Sequence, residues 1–431
     1  MDSTTAIIIT FVVGYVLIAF ESFIRVNKAA IALLMCVACW TIYALDGSGL
    51  CSGGLLGEDI SRGLGDAGAT LFFLMGAMAI VEIVDQHGGF NFVRYVLASC
   101  TKQGLLWKLG SMTFILSAVL DNLTTSIVMV MILRKLVDEP SDRLWYASCI
   151  IIAANAGGAF SPIGDVTTIM LWNGGMVTAP GLVRQLLPAS ILAFVVPTFI
   201  MQFRLRGPLS QPHCPDCAIE PYTPLLCRIL LTLIGIGGLC CVPLFHSVTG
   251  LPPFVGILLV LGVLWFFTEF LYWHSPSDTP RRVVHLLSHI DLATILFFLG
   301  ILMSVTVLSQ TGVLTDLGRW FDHAIGNDYL IATAIGALSS VIDNVPLVAG
   351  AMKMYAINAA DASLRVDGVF WQMLAYCAGT GGSLLVIGSA AGVVVMGLEH
   401  ISFGWYLRRI TPLACLGFLC GILCYWLMQV L

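Results

Sequence analysis

The sequence predicts an all-α polytopic membrane protein of about ten transmembrane helices plus two re-entrant hairpins, arranged as two inverted-topology repeats with broken helices. Three observations predict it. Of 431 residues, 58% are hydrophobic and only 10% charged, against about 25% charged in soluble globular chains. A soluble chain this long folds as about three domains, and 20 Lys and Arg with 25 Asp and Glu cannot coat three such surfaces. Apolar stretches long enough to cross a bilayer recur along the whole chain, and its two halves repeat one another at a nearly constant offset.

A bilayer core takes about 20 apolar residues per helix. The first run, 6–24, follows Met1-Asp2-Ser3-Thr4-Thr5, with no basic residue ahead of it and no small-residue cleavage site, so it reads as a retained helix rather than a secretory signal. Runs 29–45 and 67–86 come next. The stretch 109–137 is too long for one span and too interrupted for two, and it carries Asp121-Asn122 near its middle. A carboxylate in a turn at that depth predicts a re-entrant hairpin whose tip is buried in protein. Run 145–176 contains Gly157, Gly158, Ser161, Pro162 and Gly164. Pro162 removes a backbone donor and the glycines release the chain, so this helix must break. Run 181–203 completes a first repeat over 1–203. The segment 204–223, with Arg204, Arg206 and four prolines, reads as a cytoplasmic linker. The second repeat, 224–431, offers runs 224–245, 252–273 and 289–310, and a hairpin over 328–357 around Asp343-Asn344. A run over 368–398 follows, interrupted at Gly381, Gly382 and Gly388, and then 407–430.

The repeat is visible residue by residue. Ala69-Thr70-Leu71-Phe72-Phe73-Leu74 recurs as Ala293-Thr294-Ile295-Leu296-Phe297-Phe298, at an offset of 224. Ser117-Ala118-Val119-Leu120-Asp121-Asn122 recurs as Ser339-Ser340-Val341-Ile342-Asp343-Asn344, and Gly157-Gly158 with Gly164 recur as Gly381-Gly382 with Gly388. Five spans and a hairpin per unit are an odd number of crossings, which inserts the second copy upside down. Inverted repeats whose broken helices meet at mid-membrane mark secondary transporters. With the N-terminus outside, the inner loops hold fifteen of the 20 Lys and Arg, leaving Arg62, Arg184, Arg319, Lys353 and Arg365 outside. The positive-inside rule supports that orientation.

Two segments in each half can supply ion ligands. The first-half tip brings Asp121, Asn122 and Thr124, and the first break brings Asn155, Asp165, Thr167 and Thr168. The second half offers Asp343, Asn344, Ser383 and Ser389. Carboxylate, amide, hydroxyl and freed carbonyl oxygens form a hard, net-negative set suited to alkali cations rather than soft metals. A sodium ion is expected at Asp121, Asn122, Asp165, Asp343 and Asn344. Helix capping explains a single Asp at a hairpin tip. Two Asp-Asn tips related by a repeat, with Asp165 at a break, point to function, since ionisable groups inside a membrane mark transport sites by default.

Other polar residues carry less. Glu82, inside the third run, is the candidate for a separate proton path. Glu21 reads as a snorkelling partner of Arg25 and Lys28. His213, His274, His285, His289 and His400 fall mostly in cytoplasmic loops. The formal charge of −5 leaves no basic stripe for nucleic acid. Most of the 14 cysteines sit in apolar runs. Cys214 and Cys217, behind His213, form one CxxC without the second pair that specifies a zinc site.

The blocks LDNLTTSIVMVMILRKLV (120–137), AANAGGAFSPIGDVTTIMLW (153–172) and SVIDNVPLVAGAM (340–352), with FESFIRVNKAA (20–30), resemble NhaD-type sodium/proton antiporters of the ion transporter superfamily. The resemblance implies two opposed hairpins and two broken helices in a homodimer that works by an elevator movement. It implies sodium or lithium exchanged for protons across a bacterial inner membrane, with no cofactor. Dicarboxylate carriers of the superfamily have Ser-Asn-Thr at their tips, where this chain has Asp121-Asn122-Leu123 and Asp343-Asn344-Val345. The alternative, an anion carrier for dicarboxylate or arsenite, meets a net-negative site of the wrong sign. The repeat argues against a simple channel, and the lack of a nucleophile–base pair or an HExxH motif argues against an enzyme.

Overall fold

The apolar runs fold as helices throughout. The structure, a computed structural model, describes residues 3–19, 24, 26–45, 56–90, 93, 96–97, 99, 101–209, 225–272 and 282–430. Among them there is no strand, only one bridge between Thr101 and Pro208. Helices α1 (Ser3–Ala19) and α2 (Lys28–Ala44) are followed by α3 (Leu56–Gln86), whose 31 residues reach about 46 Å at 1.5 Å per residue. That exceeds a hydrocarbon core of about 30 Å. Its first turns carry Glu58, Asp59, Arg62 and Asp66, which is why apolarity alone dates the helix only from 67.

The first hairpin is α4 (Lys102–Ser117) and α5 (Asn122–Leu136), turning at 118–121. It begins earlier than 109 because Lys102 and Lys108 interrupt the apolar signal; Lys102 is held by Asp142 at 2.5 Å. The broken helix is α6 (Pro140–Ala159) with α7 (Val166–Asn173), parted where the glycines and Pro162 lie. Helix α8 (Ala179–Met201) ends this half. The second half opens with α9 (Leu225–Thr232) and α10 (Gly238–Thr249), joined by a π-helical turn, and α11 (Pro253–Leu271). Next come α12 (Leu292–Gln310), the amphipathic α13 (Val313–Ala324), and a second hairpin of α14 (Asp328–Leu338) and α15 (Asn344–Met354). A second broken helix, α16 (Val369–Gly381) and α17 (Ala390–Glu399), is followed by α18 (Phe403–Arg409) and α19 (Thr411–Val430).

Each of the ten expected runs falls on a helix or helix pair, but fewer are complete spans on their own. Among the described residues six helices are long and apolar enough to cross a membrane: α3, α8, the continuous 226–249, α11, α12 and α19. Helices α17 and α18, bent by 113°, make a seventh if counted as one span. Helices α1, α2 and α14 are apolar but shorter.

Packing sets each hairpin against a broken helix: α4 lies on α6, α14 on α16, and α6 meets α16 between the halves. The same bond docks both hairpins. Ser117 Oγ donates to Ala154 O at 2.6 Å, and Ser339 Oγ to Ala378 O at 2.8 Å. Glycine makes the approach possible, because a Cβ at Gly388 would lie 2.6 Å from Ser340 O and 2.7 Å from Ser339 O. Gly164 faces Ser117 and Ala118 in the same way. A large core joins the hairpins, the broken helices and α8 with parts of α3 and α11. A smaller core gathers α1, α2, α12 and the part of α3 from Leu56 to Met78, touched by Met170, Val345 and Ala349.

Candidate ion-binding site

Four half-helices begin at the same place, each capped by a residue singled out from the sequence. Asp121 caps α5, Asp165 caps α7, Asp343 caps α15 and Ser389 caps α17. A helix N-terminus presents unpaired N–H groups and a partial positive charge. Here the chain's own carboxylates meet that charge at three of the four ends. Asp121 accepts from Thr124 N and Thr124 Oγ1, both at 2.7 Å. Asp343 accepts from Val345 N at 3.5 Å.

Asp165 is the centre. It is 1% exposed, and its Oδ1 accepts from Thr167 N and Thr167 Oγ1 at 3.0 Å each. The amides of both hairpin tips converge on the same carboxylate. Asn122 Nδ2 donates to Oδ2 at 2.7 Å, and Asn344 Nδ2 lies 3.3 Å from both oxygens. Asn122 also donates to Asn155 Oδ1 at 3.3 Å. Asn155, fully buried, donates in turn to Ser383 Oγ at 2.9 Å and Ser389 Oγ at 3.1 Å in the other half. Thr168 Oγ1 donates to Asp165 O at 2.9 Å. The donors to Asp165, from Asn122, Thr167 and Asn344, are neutral, so its hydrogen bonds are satisfied without a counter-charge among them.

Asp121, Asn122, Asp165, Asp343, Asn344 and Ser389 line one cavity of about 40 Å³, room enough for water or a small ion. Among the described residues no three His, Cys, Asp or Glu stand at metal-ligating spacing. The three carboxylates therefore share the cavity without closing on one point. Thr124 belongs to the cap of Asp121, while Ser383 reaches the site through Asn155. Of the break residues, Gly158 packs on Gly164, Gly382 on Gly388 and Ser389, Gly157 on Phe114 and Gly381 on Gly336. Ser161 Oγ donates to Ala118 O, and Pro162 lies in the same non-helical link. Glu82 is elsewhere: its partners are Gln86 at 2.9 Å and His289 at 3.2 Å, one helical turn beyond Met78, which lines the cavity.

The family described as "Citrate transporter" matches residues 15–371. Sodium/proton antiporter 2 of Arabidopsis thaliana is 41% identical over 96% of this chain and 97% of that protein. The Na(+)/H(+) antiporter NhaD of Vibrio parahaemolyticus is 32% identical over 81% of this chain and 87% of its own length. The chain belongs to the NhaD-type sodium/proton antiporter family. The YdaH transporter of Alcanivorax borkumensis shares its fold, with a TM-score of 0.55 over 93% of this chain and 98% of that one at 13% identity.

Within this NhaD-type chain, two charged groups escaped the sequence reading. Lys28, assigned there to Glu21, has its Nζ 3.8 Å from Asp343 Oδ2; Glu21 lies outside the described residues. Glu399, one residue past the apolar run 368–398, is buried between Arg134 Nε at 2.7 Å and Arg143 Nε at 2.9 Å. A basic residue opening an apolar helix, and a carboxylate closing one, were the signals available. Cys214, Cys217, His213 and most of the linker 204–223 lie outside the described residues.

Proposed function

We propose that this chain exchanges Na+ for H+ across its membrane, the two ions occupying the Asp165 site in turn. The observation that carries this reading is a carboxylate buried at a helix break, held by asparagines from both hairpin tips inside a cavity of about 40 Å³. Rotating either tip amide turns an oxygen toward the cavity, which then offers carboxylate, amide and hydroxyl oxygens to a hard cation. A proton on the same carboxylate removes the charge that holds the ion, so each expels the other. The exchange needs no cofactor, since the two ion gradients drive it. Lithium, with the same charge and a smaller radius, is proposed as a second cargo.

The citrate-transporter family match makes citrate the rival substrate. Two features favour the cation. Asp121 and Asp343 neutralise the helix ends that an anion would use, and a polyanion would meet three carboxylates lining the same cavity.

We further propose inverted repeats over 1–203 and 224–431, and an elevator movement. In that movement the hairpins and broken helices travel as one body against α1, α2 and α12, whose separate core supports the division. A homodimer rests on the resemblance, and the N-terminus-out orientation on the basic-residue asymmetry. The resemblance suggests a bacterial inner membrane; the Arabidopsis relative, with its higher identity, makes a plant membrane the competing location. Everted vesicles carrying a pH dye test the function. Na+ and Li+ should collapse a preformed proton gradient, while K+, Ca2+ and citrate should not. Citrate-driven responses without sodium exchange would overturn the reading.

A further inference from the structure

Lys28 is the only basic residue among the described residues lining the Asp165 cavity. Its position is electrostatically awkward. It is the first residue of α2, where the helix dipole disfavours a cation, so something beyond its own helix holds the ammonium there. Two partners do so. Asp343 Oδ2 lies 3.8 Å away, outside ordinary hydrogen-bond range, and the Phe297 ring centroid lies 4.5 Å away, within reach of a cation–π contact. The ammonium thus stands between two seats, one anionic and one aromatic. Lys28 also lines an adjoining vestibule of about 220 Å³, together with Asn27, Asp291 and Thr294. Leu123, Thr294 and Ala390 are shared by the two spaces, so Lys28 stands at the mouth between them. The repeat does not impose it: at the 224-residue offset its place is taken by Pro252.

We propose that Lys28 is a tethered counter-cation of the transport site. Its ammonium neutralises Asp343 while sodium is absent and withdraws toward Phe297 and the vestibule when sodium enters. This inference rests on the sodium-site reading above. Sodium then competes with a charge belonging to the protein, and the site binds it more weakly than three carboxylates alone would. A weaker hold lets the ion leave on the far side. Lys28 is on this account an affinity-setting residue, not a latch between α2 and the second hairpin.

The test is uptake of 22Na+ into proteoliposomes of the full-length chain at one fixed pH, with Lys28→Gln, Lys28→Arg and Asp343→Asn beside the parent. Removing a unit charge a few ångströms from the ion should lower the apparent sodium KM about tenfold or more at the effective dielectric of a protein interior. Lys28→Arg should stay near the parent. Lys28→Met, which keeps the apolar stem, repeats the measurement if Lys28→Gln does not accumulate. A KM at or above the parent value in either neutral variant overturns the proposal. Asp343→Asn separates the two readings. Normal uptake in that variant removes Asp343 from the sodium site and the proposal with it. Lost uptake, combined with an unchanged KM in Lys28→Gln, overturns the role of Lys28 alone.

Discussion

Glu399→Gln is the perturbation whose consequence can be worked furthest from the structure. Glu399 closes α17 in the second half, its side chain 2% exposed, and both of its ion partners come from the first half. Arg134 belongs to α5 and also donates to Leu398 O. Arg143 belongs to α6 and reaches Asp138 O at 3.2 Å. Breaking a buried ion pair by removing one partner costs about 3–5 kcal/mol. Arg134 is 38% exposed and returns to water, so its share falls to the surface scale of about 0–1 kcal/mol. Arg143 is 24% exposed and keeps more of the buried value, while glutamine retains one acceptor and removes a desolvated charge. The net expectation is a loss of about 2–3 kcal/mol, or roughly 2–3 °C in apparent unfolding temperature for a chain of this size. Thermal unfolding of the detergent-purified variant beside the parent measures it, with Arg143→Gln expected to lose more than Arg134→Gln. An unfolding temperature equal to the parent's, or the reverse order of the two arginines, would refute the assignment of this triad as the clamp between the halves.

Three further outcomes follow from the same geometry. Asp121→Asn, Asp165→Asn and Asp343→Asn should each abolish sodium exchange while the protein still reaches the membrane, because asparagine keeps the cap and its size but removes the charge; near-normal exchange in one of them removes that carboxylate from the site. Gly388→Ala forces a methyl against the Ser339 and Ser340 carbonyls and should cost about 1–3 kcal/mol of packing strain, with transport lost. Gly397→Ala, with open space around it, should stay near the parent in both transport and stability assays, and equal effects of the two would sink the argument. On a background without native Cys, a cysteine replacing Ser48 should react with an impermeant reagent added outside, and one replacing Gln211 should not. The reverse pattern would invert the topology.

Much of the arrangement was legible because lipid punishes unpaired backbone so heavily that helices, hairpins and breaks leave strong marks. The Asp-Asn tips and the glycine-flanked Pro162 located α5, α7 and α15 before any packing was known. The same blocks held Ser117 and Ser339, the docking hydroxyls, whose role needed the partners Ala154 and Ala378 to be seen. Other features had no comparable mark. Helix α13 is amphipathic and lies outside any apolar run, and the first turns of α3 are charged. The span count is harder still, because several membrane-depth helices are short or broken and apolarity alone does not say which of them cross. Lys28 and Glu399 sit at helix ends, where a charge ordinarily meets water. Only the fold brings Asp343 to the first and two arginines to the second.

The central claim, that sodium and proton share buried carboxylates, is tested most directly by the pH dependence of sodium transport kinetics in proteoliposomes. A proton that competes for the same site is more abundant as pH falls, so the apparent sodium KM should rise as pH is lowered. The maximal rate at saturating sodium should change little, because enough sodium outcompetes the proton. A KM independent of pH, with only the maximal rate titrating, would contradict the account and point to a separate proton site, with Glu82 beside His289 the first group to examine.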